Sequence, residues 1–150
     1  MQPEAVSCLV LDTNIVLDLL LFDDVAARPL KAQLEMGRCR WVATQPMRDE
    51  LERVLAYEHI AARLDSRGLH AQAVLDGFDR HAELVDVPQK ARLTCSDPDD
   101  QKFIDLAVHH RSILLSKDAA VLAMKKRLAA LNVSAAAALP DERGAASVGA

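Results

Sequence analysis

Large amphipathic rings are almost missing from this chain: Trp41 and Tyr57 are its single tryptophan and tyrosine, beside three phenylalanines in 150 residues. Reading nucleobases by stacking therefore has few platforms. The sequence holds no glycine-rich phosphate loop, no G-x-S-x-G elbow and no paired Cys-His arrangement, which removes the nucleotide-cradling and common covalent-nucleophile classes. Its three cysteines, Cys8, Cys39 and Cys95, are odd in number, widely separated and without zinc spacing. They read as reduced, mostly buried thiols of a cytoplasmic protein. His59, His70, His81, His109 and His110 form no H-E-x-x-H pattern and are expected on the surface. With no basic region after Met1 and no long apolar run, neither a signal peptide nor a membrane span is expected. An excess of positive charge is missing too. A net charge of −4 argues against a protein that grips nucleic acid by bulk electrostatics, though it leaves room for a local basic rim around an acidic pocket.

What is present is an ordinary globular composition, 51% apolar and 27% charged, in a chain long enough to bury about 70% of its unfolded surface. Val6 to Leu11 is an apolar run of strand length that stops at Asp12-Thr13-Asn14, after which residues 13 to 21 take up helical spacing. Phe22-Asp23-Asp24 breaks that pattern. A second helix is expected from Ala26 to Met36, closed by Gly37, and a second strand over Cys39 to Ala43. Thr44 reads as the cap of the next helix, with Pro46 in its first turn, running to about Tyr57. Residues 58 to 82 form one or two amphipathic helices interrupted near Gly68. A short strand over Glu83 to Val87 ends at Pro88, and an acidic turn, Thr94 to Asp100, opens a helix that stops near His110. Ser112 to Ser116 is a further strand, followed by Lys117-Asp118 and a helix to about Ala129. Val133 to Leu139 is read as an Ala-rich edge strand. From Pro140 on, the Gly, Ala, Ser and charge mixture reads as a disordered tail. Strands alternating with helices predict one α/β domain over residues 1–139, a parallel sheet with helices on both faces.

Three aspartates share a local pattern. Asp12 is followed at +3 and +4 by Ile15-Val16, Asp100 by Phe103-Ile104, and Asp118 by Val121-Leu122. On a helix these offsets put each acid on the side that packs inward. Glu50 does the same from the second turn of its helix, about 40° from Val54 on the helical wheel. Asp is also among the best helix N-caps, so the three aspartates alone leave capping and chemistry both open. Glu50 is the member that capping does not explain, and a carboxylate bordering the core needs hydrogen-bond donors or a cation. Four acids at the carboxyl ends of parallel strands would repel one another unless cations lay between them. Oxygen-only ligation suits Mg²⁺ or Mn²⁺, and such a pocket fits metal-assisted phosphodiester hydrolysis.

The segments Leu9-Val10-Leu11-Asp12-Thr13-Asn14, Thr44 to Leu55 around Glu50, Ser96-Asp97-Pro98-Asp99-Asp100-Gln101-Lys102-Phe103 and Leu115-Ser116-Lys117-Asp118 give the chain a wider likeness. In order, spacing and element context it resembles a PIN-domain ribonuclease, in particular the toxin components of toxin–antitoxin pairs. The resemblance spans about residues 6 to 122. It implies a catalytic acidic set at Asp12, Glu50, Asp100 and Asp118 that chelates Mg²⁺ or Mn²⁺. Thr13 or Asn14 would support the first acid and the Ser116 hydroxyl the fourth, where threonine is common in the family. Within the Asp-Pro-Asp-Asp turn Asp100 is preferred because it shares the apolar register, with Asp97 as helper or cap and Asp99 as the alternative. The resemblance further implies an RNA substrate, a cognate antitoxin protein and a homodimer.

Arg48, Arg53, Lys117, Lys125, Lys126 and Arg127 are candidates to meet the phosphate backbone, against a plain solvated helix face. Two other functions compete with RNA cleavage: a structure-specific DNase, since the same carboxylate chemistry serves both sugars, and a non-catalytic module whose pocket holds only a metal or a protein. A phosphoryl-receiver domain ranks below these, because Asp12 stands alone where such domains need two adjacent acids.

Overall fold

The computed structural model describes residues 7–139; the tail expected from Pro140 and the first six residues of the expected domain lie outside them. Five parallel strands form one sheet: β1 (Ser7–Leu11), β2 (Cys39–Ala43), β3 (Ala82–Leu84), β4 (Ile113–Leu115) and β5 (Ser134–Ala136). Their order is β3-β2-β1-β4-β5. Leu9 pairs with Trp41 on one side and with Ile113 on the other, so β1 is central. Leu9, Val10 and Leu11 are all buried, as a strand covered on both faces requires.

Helices α1 (Thr13–Leu17) and α2 (Arg28–Glu35) connect β1 to β2, and α3 (Gln45–Leu55), α4 (Glu58–Ser66) and α5 (Ala71–His81) connect β2 to β3. Next come α6 (Gln101–His110) before β4, then α7 (Ala119–Leu122) and α8 (Lys125–Ala129) before β5. Because the strand order moves first one way and then the other from β1, right-handed crossovers put the two helix groups on opposite faces. Trp41 and Phe78 meet edge to face with ring centres 5.0 Å apart, which locks α5 onto β2. Gly37 ends the α2 turn at φ +69° and Gly68 the α4 turn at φ +66°, the left-handed conformation that glycine adopts without strain.

Several boundaries differ from expectation. The helix expected over 13–21 is α-helical only to Leu17 and widens into a π-helical turn over Asp18–Phe22. Such turns interrupt α-helices without changing apolar spacing enough to be seen in the sequence. Here the turn lets Leu20 settle against Gly77 of α5, where an added Cβ would lie 3.1 Å from it. The next helix begins as a 3₁₀ turn at Val25, because Asp24 caps the Ala26 amide at 2.8 Å. Thr44 precedes α3 without a side-chain cap. β3 is shorter and earlier than the run 83–87, and β5 keeps only three residues of 133–139. Both are edge strands paired on one side. The single helix expected after Asp118 is two short ones. His81 and His110 are half-buried, as are Cys8 and Cys39, while Cys95 is buried.

Candidate active site

The chain leaves β1 toward β2 on one side and returns through β4 on the other, which opens a crevice beyond the carboxyl ends of β1 and β4. The Asp12 amide donates to the Leu115 carbonyl at 3.0 Å, fastening the two strand ends together. The Asp12 side chain is 5% exposed and makes no aligned cap to α1. Instead it accepts the Ser116 hydroxyl at 2.6 Å, and the same hydroxyl oxygen accepts the Asp118 amide at 3.0 Å. One fully buried serine thus ties the first acid to the loop that carries the last. Burial raises the Asp12 carboxyl above the usual range. The Ser116 hydroxyl and the nearby Asn14 amide lower it, and the charges of Asp118 and Glu50 raise it again.

The turn before α6 brings in the remaining aspartates. Asp97 accepts the Asp99 amide at 3.0 Å, capping a 3₁₀ turn over Pro98–Asp100. That turn points Asp100 inward, 6% exposed, while Asp99 stays in solvent. Asp118 caps α7 through the Ala120 amide at 2.8 Å. Capping therefore accounts for one oxygen of Asp97 and one of Asp118, but not for Asp12 or Asp100. Oxygens of Asp97, Asp100 and Asp118 lie within 4.8 Å of one another. Asp100 Oδ2 is buried with no hydrogen-bond partner. Its pKa is pushed up to about 7, by burial first, then by the charges of Asp12 and Asp118, by the Asp118 carboxylate beside it, and by Asp97.

Glu50, half-buried on α3, lies close enough for its charge to raise the Asp12 carboxyl. Its Oε2 accepts the Thr13 hydroxyl, and its Oε1 pairs with Lys102 Nζ at 2.6 Å. Asn14 is exposed. Of the cations considered from sequence, Arg48 is held by two bonds to Asp79, at 2.7 and 2.8 Å, and Lys117 pairs with Asp18. Both are engaged within the chain itself. Arg53, Lys125, Lys126 and Arg127 are exposed. Two residues went unnoticed in the sequence. Lys102 looks like part of a solvated helix face, and its position two residues after Asp100 is the only signal. Asp18 sits within an apolar run and is 8% exposed.

The sequence model of the PIN domain matches residues 8–120. The chain belongs to the PIN-domain family. Among curated proteins nothing matches it. PIN domains are in general nucleases, hydrolases that use divalent metal ions, and the parallel sheet flanked by helices is the PIN architecture. A divalent ion fits this PIN pocket on its own chemistry. The donors are all carboxylate oxygens, they converge, and one of them is a buried acceptor with nothing to accept from. Like charges this close favour either a proton or a cation between them. Among the described residues, no helix is long and apolar enough to cross a membrane.

Proposed function

We propose that the protein is an Mg²⁺- or Mn²⁺-dependent endoribonuclease that hydrolyses RNA phosphodiester bonds, the cytoplasmic toxin of a toxin–antitoxin pair, held inactive by its antitoxin and working as a homodimer. The observation that carries the nuclease reading is the unpartnered, buried Asp100 Oδ2 among three converging carboxylates. Asp12, Glu50, Asp100 and Asp118 would form the chelating set, with Asp97 as the helper that converges on Asp100 and Asp118. A bound divalent ion lowers the pKa of water and stabilises charge on phosphate oxygens.

The chain's own residues set the geometry for that chemistry. Ser116 orients Asp12 and fixes the Asp118 loop through one hydroxyl. Thr13 turns Glu50 toward the pocket, and Asn14 stands exposed at the mouth of α1. The RNA and toxin assignments are supported by the resemblance of residues 6 to 122 to the toxin group of the family.

The test is cleavage of a mixed-sequence RNA by purified protein with Mg²⁺, Mn²⁺ or EDTA, beside folded Asp12→Asn and Asp100→Asn. Metal-dependent cutting that both variants lose is the expected result. Cutting of branched DNA with RNA left intact would move the substrate to structured DNA. Metal binding without turnover on either nucleic acid would leave a binding module.

A further inference from the structure

The acids of this pocket fall into two kinds. Among the described residues, no lysine or arginine pairs with Asp97, Asp100 or Asp118. Both oxygens of Glu50, by contrast, are occupied, one by Thr13 and one by the Lys102 ammonium. That ammonium is held in place on three sides. It donates to the Asp99 carbonyl at 2.6 Å, pairs with Glu50 at 2.6 Å, and lies 5.0 Å from the centre of the Phe103 ring. Lys102 and Glu50 are 27% and 20% exposed, so the pair is open to solvent on one side and partly shielded from it on the others. Lys102 sits on the first turn of α6, directly after the turn that delivers Asp100.

We propose that Lys102 stands in for a second cation: it neutralises Glu50, so the pocket takes one divalent ion until a substrate phosphate draws the ammonium away. This rests on the metal-dependent nuclease reading above. In the free protein the Lys102 ammonium already touches the Glu50 carboxylate, and because like charges in contact exclude each other, a second divalent ion would be kept from it. A phosphodiester offers the ammonium an alternative anionic partner. Once Lys102 turns to the phosphate, Glu50 Oε1 is free, and this carboxylate would be able to hold a second divalent ion only when substrate is present. Lys102 is then a positioning residue that acts through Glu50, and a device against filling both sites without RNA.

The experiment counts Mn²⁺ ions bound to the full chain without RNA, by loss of the free-ion electron paramagnetic resonance signal. Wild type, Lys102→Met and Lys102→Arg are compared, with folding checked by circular dichroism. The expected stoichiometry is one ion for wild type and Lys102→Arg and two for Lys102→Met, the number a two-metal pocket accepts. Lys102→Met should also cut RNA about tenfold more slowly despite binding more metal. A residue needed only for the fold would lower occupancy and rate together. One ion in Lys102→Met, or two in wild type, would overturn the proposal. A wild type that takes one ion and cuts no RNA would defeat the nuclease reading while the ion count still decides the role of Lys102. No ion in any of the three proteins would defeat both.

Discussion

The two ends of the sheet treat charge in opposite ways. At the amino end Cys8, Arg40, Glu83 and His110 are near neighbours. Arg40 pairs with Glu83, each about half exposed, and the half-buried His110 has its pKa lowered by burial, then by His109 and Arg40. At the carboxyl end Asp12 and Asp100 are withdrawn from water, no lysine or arginine among the described residues pairs with either, and both carboxyls are raised. The helices explain part of this. Helix starts gather at the carboxyl end and carry positive partial charge, while helix ends gather at the amino end. The rest is topology, since only at the carboxyl end does the reversal of strand order open a crevice. Charges that remain solvated pair with one another at the amino end, whereas at the carboxyl end Asp12 and Asp100 are buried and one Asp100 oxygen has no hydrogen-bond partner.

The largest effects should follow from touching the incomplete end. Asp100→Asn should lower metal-dependent cleavage by more than about 100-fold, beyond the 10–100-fold typical of a residue one shell further out. The same variant should be more stable than wild type in EDTA at pH 8, because it removes the carboxylate that must ionise beside its neighbours. A simultaneous loss of activity and stability in EDTA would contradict that account.

The second effect is on pH dependence. Burial and the neighbouring carboxylates push the Asp100 carboxyl up to about 7 in the folded protein, against about 3.9 when unfolded. Between those values the folded state holds more protons than the unfolded one, so metal-free stability falls as pH rises through that window. The midpoint of thermal melting in EDTA should therefore drop from pH 4 to pH 8, and Asp100→Asn should flatten the slope. At pH 8 a divalent ion at 100 times its Kd should add about 2.7 kcal/mol, which is about 5–10 °C for a domain of this size. A metal-free midpoint that rises over the same window would show that the trio is not strained by its own charge.

Smaller again is the effect of Ser116, which touches two acids but has no charge. Ser116→Ala should slow cleavage about 10–100-fold, and Ser116→Thr should restore most of it by returning the hydroxyl. Equal loss in both variants would mean that packing around this fully buried side chain matters rather than its hydrogen bonds.

Much of this carboxyl end was legible in the amino-acid sequence. Leu9-Val10-Leu11 is apolar on both faces and stops at Asp12, which marks a buried strand and aims the acid. The +3/+4 pairs then separate Asp100 from Asp99, and the two do differ in burial as that register predicts. What stayed hidden was whatever depends on partners distant in the chain. Lys102 meets Glu50 from another helix. Asp18 meets Lys117 across the sheet end, and Arg48 is claimed by Asp79 of α5. A helical wheel shows which way each side chain points but not what waits there. The π-helical turn was hidden for a different reason: its spacing differs from α by one residue in a run where nearly every position is apolar.

The amino end supplies the smallest expected effect and the control for all the others. Arg40→Ala should cost no more than about 1 kcal/mol, because a pair exposed on both sides gains little over its solvated state. Glu83→Ala should cost as little, and the double variant should show almost no coupling energy. Cleavage should be unchanged in all three, since neither residue reaches the carboxyl-end crevice. Stability is read from denaturant midpoints in moderate salt, where screening weakens an exposed pair further. A coupling well above 1 kcal/mol would mean that Arg40 and Glu83 are tied to Cys8 and His110 into a network that holds β3 on the sheet. Charge at the amino end would then also hold structure together, and the two ends would differ only in Asp12 and Asp100, which no lysine or arginine meets among the described residues.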